Sequence, residues 1–291
     1  MATAVKRAPW TTGSCLASQH YVVYCTTNNR ALETFLPGFM EAAYDNYLAL
    51  TCLSERRLKE PLPIYLMGTR AEWASLTTSV VGANAKTYLA LQAGGYCYQG
   101  VCVFWDIGNL PTFTVASHEG FHQFLHHRLA DRLPMWLEEG MCTVAEGYDL
   151  SEDHVTFTAD RNVLRFSDLR NAIVAGKWIP LGKLLPMDAG DAVVGSNVEA
   201  VGYYGQLWAL QQFIRSRPDY KAGLTRLLAD AEKGKLNTAM GMTAPQLAQL
   251  RSNGKAYNQT VSPVLFRQYI CSDLAGFERD YFAYAKKIAR L

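Results

Sequence analysis

The feature that most constrains the fold is a change of hydrophobic period partway along the chain. Short β-branched and aromatic runs crowd the first third, and almost every apolar pattern after Pro111 repeats at helical spacing. The run from Gln19 to Cys25 (Gln-His-Tyr-Val-Val-Tyr-Cys) and the run from Pro63 to Gly68 read as strands. Between them, Leu32, Phe35, Phe39, Ala42, Ala43, Tyr47 and Leu50 recur with the period of a helix over residues 30 to 52. A short helix is expected around Glu72 to Thr77. Gly94 to Trp105 reads as a two-stranded ribbon with Gln99-Gly100 near its turn. Helices are expected over 112–130, 135–147, 198–216, 219–232, 244–251 and 273–290. Strands early and helices late is the α+β signature rather than a succession of βαβ units. A soft boundary near residue 110 separates an amino-terminal α/β part, 1–110, from a helical part, 111–291, the two expected to act as one continuous unit.

Composition removes several classes of function. With 291 residues, 49% apolar and 19% charged, the chain is long and apolar enough to bury a sizeable core and is not a disordered segment. The 28 basic and 26 acidic residues leave a net charge of +2, so no basic field argues for nucleic acid or an anionic membrane. No apolar run approaches the length of a membrane span. The first thirty residues hold no signal-peptide apolar region, because Val5 to Trp10 is broken by charge and proline. The expectation is an intracellular chain, or an exported one whose signal has been trimmed. Seven cysteines (15, 25, 52, 97, 102, 142 and 271) include no Cys-x-x-Cys, which disfavours a cysteine-only zinc knuckle or a thioredoxin-like site. Cys97 and Cys102 are spaced to face each other across the ribbon, and the set otherwise reads as small buried hydrophobes.

Chemistry concentrates in Thr114 to Phe124, which contains His118-Glu119-Gly120-Phe121-His122. On a helix His118 and His122 lie one turn apart on one face, so both imidazoles can reach one metal ion. Glu119 is rotated by about 100° and can hold a metal-bound water instead of the metal. Val115, Ala116, Phe121, Phe124 and Leu125 mark the helix as buried, with Ser117 in an early turn. The bare pattern arises by chance in on the order of 1% of chains with this histidine content, so a third ligand must decide. Leu133-Pro134-Met135-Trp136-Leu137-Glu138-Glu139-Gly140 follows, with a helix expected from Pro134. It offers a glutamate able to complete a two-histidine, one-carboxylate zinc site with a fourth position open to water.

His-Glu-x-x-His followed by Trp-Leu-x-Glu-Gly is similar to the gluzincin metallopeptidases, the class containing thermolysin and the aminopeptidase N type enzymes. The nearest likeness is to the bacterial peptidase MA-like members, many filed as a domain of unknown function. The resemblance implies an α+β fold with a small mixed sheet, a helical carboxy-terminal half and a zinc site between them. It also implies that Glu139, directly before Gly140, is the third zinc ligand, with neighbouring Glu138 the alternative. Sixteen residues separate His122 from Glu139, fewer than in the aminopeptidases, so the loop around Asp131-Arg132 must be tighter. Glu146, two turns after Glu139, would accept a proton from a zinc-bound histidine or stand as a solvated glutamate. Cys142 shares the Glu139 face and reads as packing. The Val201 to Ile214 stretch resembles the family's Tyr-x-x-Gly/Ser-x-Ala-Leu segment, which puts Tyr204, with Tyr203 as fallback, in the role of oxyanion donor. A metzincin would need glycine at Leu125 and histidine at Arg128, and both positions fail. His126 reads as a helix-face residue, and His20 and His154 as structural or surface groups.

The ribbon precedes the metal helix, as the substrate-binding edge strand does in gluzincins, where an extended peptide adds by backbone hydrogen bonds. Gly94 to Cys97 carries no glutamate to bind a free amine, which argues against an aminopeptidase and for internal cleavage of a peptide or protein substrate. The expectation is therefore a Zn2+-dependent endopeptidase: His118, His122 and Glu139 on the metal, Glu119 as base, Tyr204 at the oxyanion. Two rivals remain: hydrolysis of a non-peptide amide or ester, and a non-catalytic scaffold on the same fold. Glu119 disfavours the second, since a purely structural site has no use for it.

Overall fold

The computed structural model describes residues 13–91, 94–151, 154–187, 197–251 and 253–291, apart from the side chains of 197–201. The chain divides into two compact units. The first holds the amino-terminal residues to Leu50, Ser54–His127 and Asp149–Phe157; the second holds Thr51–Leu53, Arg128–Tyr148 and Thr158–Leu291. The division falls after His127, so the helix bearing the two histidines groups with the sheet, whereas the sequence places its boundary near residue 110.

The first unit contains β1 (Ser14–Ala17), β2 (Tyr21–Cys25), α1 (Arg30–Thr51, less its last residue), β3 (Leu62–Met67), α2 (Arg70–Val81), α3 (Ala85–Leu89), β4 (Gly95–Tyr98), β5 (Val101–Trp105) and α4 (Asn109–Arg128, less its last residue). The strands form one sheet in the order β1-β2-β3-β5-β4. β1 and β4 pair antiparallel at the edges, while β2-β3 and β3-β5 are parallel. The α+β class holds, and within it β2-α1-β3 forms a βαβ unit. Hydrophobic period locates a strand without telling which neighbour it joins.

Tyr21, Val23 and Cys25 alternate inward along β2. On one sheet face Tyr65, Met67, Tyr96, Val103 and Trp105 pack with Trp73 and Leu76 of α2. That helix is longer than expected. Thr69 and Glu72 close a capping box at its start, and Gly82 at φ 64° ends it.

Helices α1 and α4 meet through aromatic rings: Phe39 on Phe113 at 4.8 Å, Tyr47 on Phe121 at 5.0 Å and Tyr44 on Phe124 at 5.4 Å. The buried face of α1 is carried by Leu32, Leu36, Phe39, Met40, Ala43, Tyr44 and Tyr47. Phe35, assigned to that face from the sequence, is 52% exposed, because Leu36 takes the inward position one residue on.

In the second unit, α5 (Met135–Ala145) opens a largely helical assembly. A small two-stranded ribbon, β6 (Tyr148–Leu150) with β7 (Val155–Phe157), falls across the unit division. There follow α6 (Val163–Val174), α7 (Leu181–Leu184), α8 (Asn197–Ser216), α9 (Pro218–Glu232), α10 (Leu236–Ala239), α11 (Ala244–Arg251), α12 (Gly254–Leu265) and α13 (Leu274–Ile288). A π-helical turn, Phe266–Ile270, extends α12. The expected helices 135–147, 198–216, 219–232, 244–251 and 273–290 each appear within a few residues; α6, α7, α10 and α12 lie outside those expectations. Among the described residues no helix is long and apolar enough to cross a membrane.

Candidate metal centre

Three of the residues expected from the sequence, His118, Glu119 and His122, lie on α4 in the first unit. His118 and His122 are half-buried with ring centroids 5.1 Å apart, as one helical turn requires. Ser117 sits mid-helix rather than in an early turn, since α4 begins at Asn109. Its hydroxyl bonds back to the Thr114 carbonyl at 2.9 Å, and its own carbonyl accepts the Tyr47 hydroxyl at 2.8 Å. Gly120, inside the motif, is where α1 comes closest. A Cβ there would stand 2.6 Å from Met40 Cε and 2.7 Å from Tyr47 Oη, so a side chain would push the two helices apart.

The helix is tied to the sheet just beyond the motif. Buried Gln123 donates from Nε2 to the Pro63 carbonyl at 2.8 Å and to the Gly100 carbonyl at 2.9 Å. The Cys102 thiol donates to the Glu119 carbonyl at 3.2 Å. These bonds fix the height of His118, Glu119 and His122 against β3 and the β4-β5 ribbon. The Glu119 charge is also felt at Tyr88 of α3, whose phenol is pushed up by burial first and then by Tyr98, Cys97 and Glu119. Of the other histidines, His126 is exposed, His127 approaches the Gly100 carbonyl at 3.3 Å, and His154 bonds Ser151. His20 is locked by Glu41 at 2.6 Å and stacks on Tyr44, a structural role.

The other expected residues, Glu139 and Tyr204, lie in the second unit. The start of α5 is set by Pro134 and by Asn258, whose Oδ1 accepts the Met135 amide at 2.8 Å. In the loop before it, Asp131 accepts the Leu236 amide at 2.8 Å and pairs with Arg251. Glu139 is buried and Glu138 is half-exposed. Gly140 has a packing reason: a Cβ there would stand 2.8 Å from Gln211 Cγ of α8. Cys142 is buried one turn beyond Glu139 on the same face.

Glu146 is not a solvated glutamate. Arg165 binds it bidentately at 2.8 Å through both Nε and Nη2, and Asn162 Nδ2 donates to it at 2.8 Å. Arg165 reaches Asp168 at 3.2 Å and lies over the Tyr204 ring at 5.0 Å. Burial opposes the Arg165 charge, but Glu146 and then Asp168 outweigh it and raise its pKa; burial raises the Asp168 carboxyl in turn. Tyr204 is half-buried while Tyr203 is fully buried, so of the two candidate phenols only Tyr204 keeps open surface. Gly205 lets α6 approach, since a Cβ there would stand 2.6 Å from the Leu169 amide nitrogen.

Sequence reasoning missed the Arg165-Glu146-Asp168 network. Arg165 and Asp168 carry an i,i+3 charge spacing, but the apolar residues of the helix that holds them do not trace one face. No protein-family model, curated protein or solved structure matches this chain.

Proposed function

We propose that this chain is a zinc-dependent peptidase that cleaves internal peptide bonds. The observation that carries the reading is the pair of imidazoles on one face of α4, 5.1 Å apart, with Glu119 at the adjacent position. His118, His122 and Glu139 would hold the ion. Two imidazoles and one carboxylate are a donor set that zinc accepts while keeping a position open. When bound, zinc lowers the pKa of water and polarises the scissile carbonyl. Glu119 accepts the water's proton and returns it to the leaving amine. The Tyr204 phenol donates to the oxyanion, held in place by the guanidinium stacked on its ring. Tyr204→Phe is expected to retain metal and lose about 10²–10³-fold in turnover; unchanged turnover in a zinc-loaded variant removes Tyr204 from the chemistry.

Cys142 supports a second reading. Because it shares a helical face with Glu139, any arrangement that brings the carboxylate to the histidines also brings the thiol near, and His118, His122 and Cys142 are themselves a possible ligand set. Thiolate ligation beside Glu139 would close the fourth position and make the site structural. Cobalt substitution separates the two, since a thiolate ligand adds an intense near-ultraviolet charge-transfer band that a carboxylate does not.

The ribbon supports internal cleavage. β4 is a sheet edge, able to take an extended peptide as a further strand, and it has no carboxylate to bind a free amine. The test is a peptide-library digest with and without chelator, each peptide in free and amino-acetylated form. Cleavage of both forms, abolished by chelator and restored by zinc, is expected. Strict preference for the free amine restores an aminopeptidase; cleavage of esters or other amides alone moves the substrate class; no cleavage by zinc-loaded protein favours the scaffold.

A further inference from the structure

The edge ribbon carries a second chemistry. β4 and β5 are joined by Gln99 and Gly100, at φ 50° and 78°, the paired positive angles of a tight two-residue hairpin. In such a hairpin the closing pair, Tyr98 and Val101, exchanges backbone hydrogen bonds, so the next pair, Cys97 and Cys102, is a non-hydrogen-bonded one. Residues so placed have Cα atoms about 4.5 Å apart and side chains on the same face. That lies within the span of about 4.4–6.8 Å that a disulfide bridges. Both cysteines are thiols; Cys97 is half-exposed and Cys102, beside it, is buried. The other sheet cysteines have no such relation: Cys15 pairs with Tyr24 and Cys25 with Ser14, which puts the two on opposite faces.

We propose that Cys97 and Cys102 are a redox-active dithiol that closes to a cross-strand disulfide by exchange with a small-molecule disulfide. Cys97, the accessible thiol, loses its proton to solvent, and its thiolate attacks one sulfur of the small disulfide. A Cys97 mixed disulfide forms and one small thiolate leaves. Cys102, giving its proton to that departing thiolate, attacks the Cys97 sulfur and expels the second small thiolate. The dithiol is oxidised by two electrons, and the small disulfide is reduced to two thiols. Closure also withdraws the hydrogen that Cys102 donates to the Glu119 carbonyl, so oxidation is felt at the helix of the candidate metal centre. The pairing itself does not depend on the peptidase reading.

The experiment incubates the full chain with oxidised glutathione, quenches with acid, alkylates free thiols and maps peptides by mass without reduction. The tryptic peptide carrying both cysteines should be found two hydrogens light and unalkylated. It should exceed the Cys97 glutathionyl adduct by about tenfold or more, because the second sulfur is already in place. In Cys102→Ser the same treatment should stop at that adduct. A persistent Cys97 adduct beside a free Cys102 in the unmodified protein overturns the proposal. So does a bridge from Cys97 to another cysteine, or alkylation of both residues where exposed Cys15 or Cys52 has been glutathionylated.

Discussion

Glu119→Gln is expected to keep its zinc and lose about 10²–10⁴-fold in peptide hydrolysis. The amide matches the carboxylate in size and still accepts a hydrogen bond, but it cannot take a proton. The bonds described above that fix α4 stay in place: the Cys102 thiol bonds the backbone carbonyl of Glu119, and the helix is held by Gln123, Tyr47 and the aromatic seam with α1. A fall in rate without loss of metal or of thermal stability therefore isolates the base. Full hydrolysis by a zinc-loaded Glu119→Gln protein would sink the mechanism.

Glu139→Ala should fail in the opposite order. It removes one of three proposed ligands, so zinc affinity drops first and hydrolysis disappears as a consequence. Excess zinc should restore part of the activity, as it cannot in Glu119→Gln. Metal content and turnover belong on the same preparations, with folding checked by circular dichroism, because Glu139 is buried and misfolding would imitate ligand loss. Glu138→Ala is the control and should leave both quantities near their starting values. If Glu138→Ala loses zinc and Glu139→Ala does not, the ligand assignment moves by one residue.

Much of the frame is legible because it rests on local residue type and spacing. Gln19 to Cys25, the long α1 and the Gly94 to Trp105 ribbon stand out by β-branched and aromatic content, helical spacing and a turn dipeptide. What stayed hidden has physical reasons. Helix α6 exposes Val163, Leu164 and Val174 at 73%, 54% and 68%, so its apolar residues do not trace one face. Helix α12 carries Pro263 in its interior, which reads as a break. Strand β1 is four residues long, too short for alternation to register. The parallel joins β2-β3 and β3-β5 are decided by packing across the sheet, which no local window contains.

The candidate site divides in the same way. His118, Glu119 and His122 are legible because one helix turn sets their relation. Gly120 and Gly140 take their reasons only from the neighbouring helices, where Tyr47 and Gln211 leave no room for a Cβ. Arg165 is out of reach of the sequence, since its partner Glu146 lies just past the end of α5 and no single apolar face marks α6.

The proposed chemistry requires zinc held by the paired histidines. Metal analysis of the purified full chain, before and after chelation and reconstitution, tests it most directly. About one zinc per chain is predicted, lost in His118→Ala and His122→Ala and unaffected in His126→Ala. A protein that carries no transition metal as isolated and takes up none on reconstitution has no such metal site.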